Sequence, residues 1–170
     1  MEKVGFFGGC FNPPTNIHIN LANNLIQAGK LDKVIFVPVG DYYQKQNLVS
    51  AKHRYNMLKL ACEGLENIQV EEIASLHKDK LYATDTFNLI YEKYNKYVDI
   101  YFIMGSDNYE KMPEWKNYKE IKDKYKYIVL DRTEELSSTE IRNMIKNGND
   151  VTNYIDVNVL KYIQGEKLYI

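Results

Sequence analysis

The sequence predicts an α/β fold, a doubly wound parallel sheet with helices on both faces. Short apolar, β-branched runs alternate with longer stretches of helical period. The first such run ends in a glycine pair that opens onto a helix. No internal repeat or low-complexity tract breaks the alternation. A chain of 170 residues, 45% apolar and 26% charged, is long enough to bury one substantial core, so residues 1–170 read as one domain.

The elements follow in order. Residues 3–7 (KVGFF) form the first expected strand, and a helix runs over 16–28 with Thr15 or Asn16 as its cap. Residues 33–37 are the second strand. The helix at 51–63 has Ser50 as N-cap and sets Tyr55, Leu58 and Cys62 on one face. A third strand at 68–73, a helix at 84–95, a fourth strand at 99–104, a helix at 115–124 and a fifth strand at 126–130 continue the pattern. Helices at 138–147 and 156–164 close it, the first with Ser137 and Glu140 at capping-box spacing ahead of Ile141, Met144 and Ile145. Right-handed crossovers would bring the loops after the strands together at the carboxyl edge, where such sheets bind ligands.

Charge narrows the function classes. With 22 Lys and Arg against 23 Asp and Glu, a net charge of −1 argues against a broad footprint on nucleic acid or on an anionic membrane. Cys10 and Cys62 are too far apart in sequence to suggest a disulfide framework, and residues 1–7 carry no basic, apolar leader. A cytoplasmic protein is expected. His18, His53 and His77 show no metal-ligand spacing.

The chemistry concentrates in GGCFNPPTNIH, residues 8–18. Gly8 and Gly9 let backbone N–H groups approach a ligand, Pro13 and Pro14 fix the exit from the turn, and His18 falls in the first turn of the helix. A helix dipole, free N–H groups and an imidazolium would together favour a polyphosphate. On spacing alone, the same stretch also fits a tight turn with a surface histidine. It does not match G-x-G-x-x-G, so a hydride-transfer cofactor is not supported.

GGCFNPPTNIH resembles the G-G-T-F-D-P-x-[HT]-x-G-H signature of the nucleotidyltransferase superfamily. HRYNMLKLA (53–61), YATDT (82–86), FIMGSDNYEKMPEWKNY (102–118) and LSSTEIRNMI (136–145) follow in that order. Together with the closing VNVLKYIQGEKLY they resemble bacterial nicotinate-nucleotide adenylyltransferases nearly end to end. The resemblance implies a Rossmann-like sheet of the nucleotidyltransferase type. It implies transfer of the adenylyl group from ATP, with Mg²⁺ bound to the nucleotide, to nicotinate mononucleotide. It also implies catalytic roles for His18, Thr15, Lys45 and Arg142. Gly8, Gly9, Cys10, Phe11, Gly105, Asp107, Arg132, Ser138 and Thr139 would bind the nucleotide, and Ala83, Thr84, Trp115 and Lys116 the second substrate.

Each segment also has a reading of its own. Residues 137–139 with Arg142 make a second helix N-terminus suited to phosphate, or simply a capped surface helix. Asp107, just after a strand, could reach a ribose hydroxyl or a structural N–H. Trp115 could stack on a pyridine ring or belong to the core. Lys45 lies in a polar loop, and Arg54 reads either as a phosphate ligand or as part of a helix-surface pair. The signature is departed from at Cys10, Thr15 and Ile17, which stand at its Thr, His and Gly positions. Ala83 replaces a threonine expected near the pyridine carboxylate, and the 130–136 segment is short. Ile17 would narrow the pocket for the base or ribose. Nicotinamide mononucleotide and phosphopantetheine are alternative acceptors on the same scaffold, and a non-catalytic nucleotide-binding paralogue is the alternative from another class.

Overall fold

The computed structural model describes residues 1–131 and 137–170. Strands β1 (Lys3–Gly9), β2 (Lys33–Pro38), β3 (Ile68–Val70), β4 (Asp99–Gly105) and β5 (Lys126–Leu130) form one parallel sheet in the order β3-β2-β1-β4-β5. The chain winds outwards from β1 to β3 on one side, then returns to the other side of β1 for β4 and β5. The order therefore reverses at β1, and the crevice of the fold opens at the carboxyl ends of β1 and β4. Phe6 lies opposite Phe102 of β4 and Ile35 of β2, so the central strands are in register at the level of the core.

Alternation along β1 explains how it serves both faces. Val4 and Phe6 join Ile35, Ile100, Phe102 and Met104 in a core covered by α3 (Ala83–Tyr94) through Ile90. On the other face, Phe36, Val34 and Ile103 meet α1 (Asn16–Gln27) through Ala22 and Leu25, and α2 (Ala51–Ala61) through Leu58. A third cluster, Met57, Ile141, Val151, Ile155, Val159 and Ile163, packs α2 with α6 (Ser138–Lys146) and α7 (Val157–Gly165). This last cluster holds α6 at the carboxyl edge.

Two expected elements differ from the fold. The third strand ends at Val70 because Glu71 turns the chain out of the sheet: its carboxylate accepts the Ile73 N–H at 2.9 Å, pairs with Lys93 Nζ at 2.6 Å and accepts from the Tyr94 hydroxyl. The helix expected at 115–124 is shorter, α5 (Tyr118–Ile121). It follows α4 (Ser106–Lys111), which the sequence reading missed, and a 3₁₀ turn at Met112–Glu114. Pro113 in that turn and Asn117 in the left-handed region (φ 62°) divide the segment into short pieces. Ser50 and the Ser137–Glu140 box cap α2 and α6 as expected.

Candidate active site

At the crevice lies a cleft of about 480 Å³. Its first wall is the turn after β1, where Gly8, Gly9, Cys10 and Phe11 lead to Thr15, Ile17, His18 and Leu21 at the start of α1. Gly105 and Asp107 at the β4–α4 junction, Asp131 after β5, and Ser137 and Ser138 at the start of α6 complete it. Of the nucleotide residues expected from sequence, Gly8, Gly9, Cys10, Phe11, Gly105, Asp107 and Ser138 line this one cleft with Thr15 and His18. Arg132 lies outside the described residues. Among the described residues no three His, Cys, Asp or Glu side chains gather as a metal site.

His18 is held by its own helix cap. The backbone N–H of Thr15, the N-cap of α1, donates to His18 Nδ1 at 3.0 Å, and Thr15 Oγ1 lies 3.2 Å from the same nitrogen. A ring that accepts an amide hydrogen at Nδ1 carries its proton on Nε2. Nε2 has no protein partner among the described residues, so it is the donor left to the cleft. The ring packs edge-on against Phe11 at 5.1 Å and Phe7 at 6.5 Å between centroids. Burial lowers the His18 pKa to about 4. The imidazolium expected from the sequence is therefore replaced by a neutral imidazole, and Thr15 serves as the group that orients it.

The start of α6 is docked onto the 11–14 turn. Ser138 Oγ donates to the Pro13 carbonyl at 3.0 Å, and Arg142 Nη1 donates to the Asn12 carbonyl at 2.8 Å. Arg142 Nη2 reaches Thr139 Oγ1 at 3.2 Å. Arg142 and Thr139 thus join the site through Asn12 and do not line the cleft itself.

The residues expected to bind the second substrate form a neighbouring patch. Ala83 and Thr84 open α3, where backbone N–H groups have no acceptor one turn back. The Thr84 side chain is buried, and its hydroxyl donates to the Lys116 carbonyl at 3.1 Å. That hydroxyl cannot serve a ligand; it ties the 115–117 loop to α3. Trp115 is half-buried and edge-on to Phe87 at 6.1 Å, while Lys116 Nζ sits 4.7 Å from the Tyr82 ring centroid. Lys45 is exposed and lines a separate open depression with Asp41, Tyr43 and Gln44, outside the cleft.

The family model described as cytidylyltransferase-like matches residues 6–144. A probable nicotinate-nucleotide adenylyltransferase of Lactococcus lactis subsp. lactis is 33% identical over 187 aligned residues, covering 99% of this chain and 95% of that one. The chain belongs to the cytidylyltransferase-like family, among its nicotinate-nucleotide adenylyltransferases. The nicotinate-nucleotide adenylyltransferase of Bacillus subtilis is 29% identical, covering 99% of each chain. In three dimensions, the Plasmodium falciparum nicotinic acid mononucleotide adenylyltransferase complexed with NaAD superposes with a TM-score of 0.76 over 99% of this chain and 98% of that one. At 19% identity that likeness speaks for the fold.

Two residues that the sequence reading did not weigh, Asn12 and Tyr169, and one that it left open, Arg54, support the site. Arg54 is fully buried and is neither a phosphate ligand nor a surface partner. Its Nε donates to the Val49 carbonyl at 2.9 Å, and Nη1 to those of Cys10 at 3.1 Å and Val39 at 2.8 Å. Asn12 is also buried and is bonded by Tyr169. Asn12 stands at the Asp position of the signature, the one signal that could have marked it; nothing in local sequence marks Arg54 or Tyr169.

Arg54→Met should lower unfolding stability by about 3–5 kcal/mol, since it leaves three carbonyls of half-buried residues without their donor, each at the lower part of the about 1–3 kcal/mol that an unpaired buried group costs. The midpoint of urea unfolding reads this, and a loss below about 1 kcal/mol would deny Arg54 that role.

His18 gives a pH signature. Its pKa is about 4 in the fold against an ordinary 6.5, so between those values the unfolded chain binds a proton that the folded chain refuses. The stability it contributes is complete above about pH 6.5 and is lost as pH falls towards 4, by about 3 kcal/mol at most. The unfolding free energy of the wild type relative to His18→Gln should fall by that amount between neutral pH and pH 4.5. A pH-independent difference would mean that His18 titrates normally in the fold.

Proposed function

We infer that this chain transfers the adenylyl group of ATP to nicotinate mononucleotide, giving nicotinate adenine dinucleotide and pyrophosphate in NAD biosynthesis. The observation that carries the reading is the fixed, neutral His18, which presents Nε2–H at a helix N-terminus beside a glycine turn. A phosphate oxygen of the acceptor attacks the α-phosphorus of ATP. The bond from that phosphorus to the bridging oxygen breaks, and its electron pair leaves with pyrophosphate. No side chain needs to form a covalent bond, so catalysis rests on positioning and on charge stabilisation.

His18 Nε2–H donates to an α-phosphate oxygen, and the dipole of α1 favours charge at the same end of the helix. The start of α6, with Ser138, takes the departing phosphates, Thr139 and Arg142 fix that helix start on the turn after β1, and Lys45 adds charge from the 39–50 loop. Gly8, Gly9, Cys10 and Phe11 border the phosphates, and Gly105 and Asp107 the nucleoside. Mg²⁺ belongs to the substrate here, chelated by the triphosphate. The N–H groups of Ala83 and Thr84 suit the carboxylate of the nicotinate ring, with Trp115 stacked on its face and Lys116 at its edge. Two free cysteines and a substrate as abundant as ATP suit a cytoplasmic setting.

Pyrophosphate release from MgATP should be seen with nicotinate mononucleotide. It should be at least about tenfold less efficient, in kcat/KM, with nicotinamide mononucleotide, whose amide lacks the charge that a helix N-terminus favours. Release with phosphopantetheine alone would keep the chemistry and overturn the acceptor, and silence with all three acceptors would overturn the function. His18→Ala should lower kcat by about 10²–10³, the size expected for one lost oxyanion donor. A variant within a few-fold of the wild type would remove His18 from the reaction.

A further inference from the structure

Tyr169 lies far along the chain from the cleft, yet its hydroxyl donates to Asn12 Oδ1 at 2.6 Å. Beyond α7 the backbone folds back, with the Leu168 N–H on the Ile163 carbonyl at 2.9 Å and Tyr169 itself in the left-handed region at φ 64°. The residue it grips is a junction. The same Asn12 Oδ1 accepts the Val49 N–H at 3.3 Å, and Asn12 Nδ2 donates to the Asn47 carbonyl at 2.8 Å. The Asn12 main-chain carbonyl accepts from Arg142 Nη1 at 2.8 Å. Four separate segments therefore meet at one buried residue: the turn after β1, the loop that carries Lys45, α6 through Arg142, and the segment after α7.

We infer that Tyr169 is a positioning residue for adenylyl transfer, acting through Asn12 on the 11–13 turn, on Arg142 and on the 39–50 loop. The inference rests on the function proposed above. Without the phenol, Asn12 Oδ1 keeps only the longer bond from Val49, and the amide has less to fix which way it faces. A displaced turn moves the backbone beside the phosphates, and small misplacements there are costly. Burial pushes the Tyr169 phenol well above its ordinary pKa, with Arg142 and Arg54 opposing, so it stays a neutral donor throughout the working pH range.

The test is Tyr169→Phe, which keeps the ring and removes the bond. Two readouts separate positioning from packing. In pyrophosphate release with nicotinate mononucleotide, kcat should fall about tenfold with KM for that acceptor unchanged, and the variant should melt within about 2–4 °C of the wild type. In Asn12→Ala, which has already lost the junction, the same change should add almost nothing. Alkylation by iodoacetamide gives a signal that needs no turnover. Cys10 lies in the turn and is partly exposed, whereas Cys62 is buried with its thiol pushed up to about 12. Tyr169→Phe should speed Cys10 labelling several-fold.

Wild-type kcat and unchanged Cys10 labelling in Tyr169→Phe would overturn the inference. So would a lowered melting temperature with kcat intact, since that is what packing alone gives. A wild type that releases no pyrophosphate would overturn the proposed function instead, and the Cys10 rates alone would then decide whether Tyr169 anchors the turn.

Discussion

The guanidinium of Arg54 is the contact on which the carboxyl edge depends. A parallel sheet delivers its ligand loops at the ends of β1 and β2, where backbone carbonyls leave the ladder and need donors. Water could supply them, but a hydrated edge would not hold the two loops in a fixed relation. Arg54 supplies them from within, taking the carbonyl of Cys10 from the turn after β1 and those of Val39 and Val49 from the two ends of the loop after β2. One planar fork on α2 thereby sets the spacing of the turn after β1 relative to the loop after β2. Asp41 adds to the same corner, with Oδ1 accepting the Ala51 N–H at 2.7 Å and lying 3.8 Å from Arg54 Nη2. Burying the cation is costly unless it is well bonded, and the carbonyls are what make its burial tolerable.

Around that frame the site relies more on oriented dipoles than on net charge. Its histidine is neutral, a threonine stands at the first histidine position of the signature, and both guanidinium nitrogens that Arg142 uses are bonded within the protein. What faces the cleft is a glycine turn, an Nε2–H and the start of α6. Such donors are aligned before the nucleotide arrives and need no reorganisation as charge develops. Ile17 and Leu21, four residues apart on α1, give the same cleft an apolar flank.

Much of this was legible in the sequence, and the limits follow physical lines. Period and β-branching gave the five strands and most helices, because those signals depend on which face is buried. They failed at α4, a short polar helix with no buried residue, and at β3, which ends on a tertiary network around Glu71. The glycine turn after β1 and the α6 box were readable because their geometry is local: glycines, a cap, and a histidine three residues after it. The protonation of His18 was not, since it turns on burial by aromatic neighbours. That the Thr84 hydroxyl is taken by the Lys116 carbonyl was not legible either, since the bond spans 32 residues. Arg54 was misread for a similar reason: an arginine on a helix is usually at the surface, and only the converging loops show why this one is not.

The edges of the sheet carry a consequence for how the chain behaves in company. A parallel sheet with free outer strands offers unpaired backbone to any extended chain nearby. Here one outer strand is only the three residues of β3, cut short where Glu71 turns the backbone away. The other, β5, begins with Lys126, whose ammonium pairs with Asp99 of β4 and so sets charge at the start of the open ladder. Between them they leave little flat, uncharged strand on which a newly made, still unfolded copy could template itself, so the fold resists edge-to-edge aggregation at crowded concentrations.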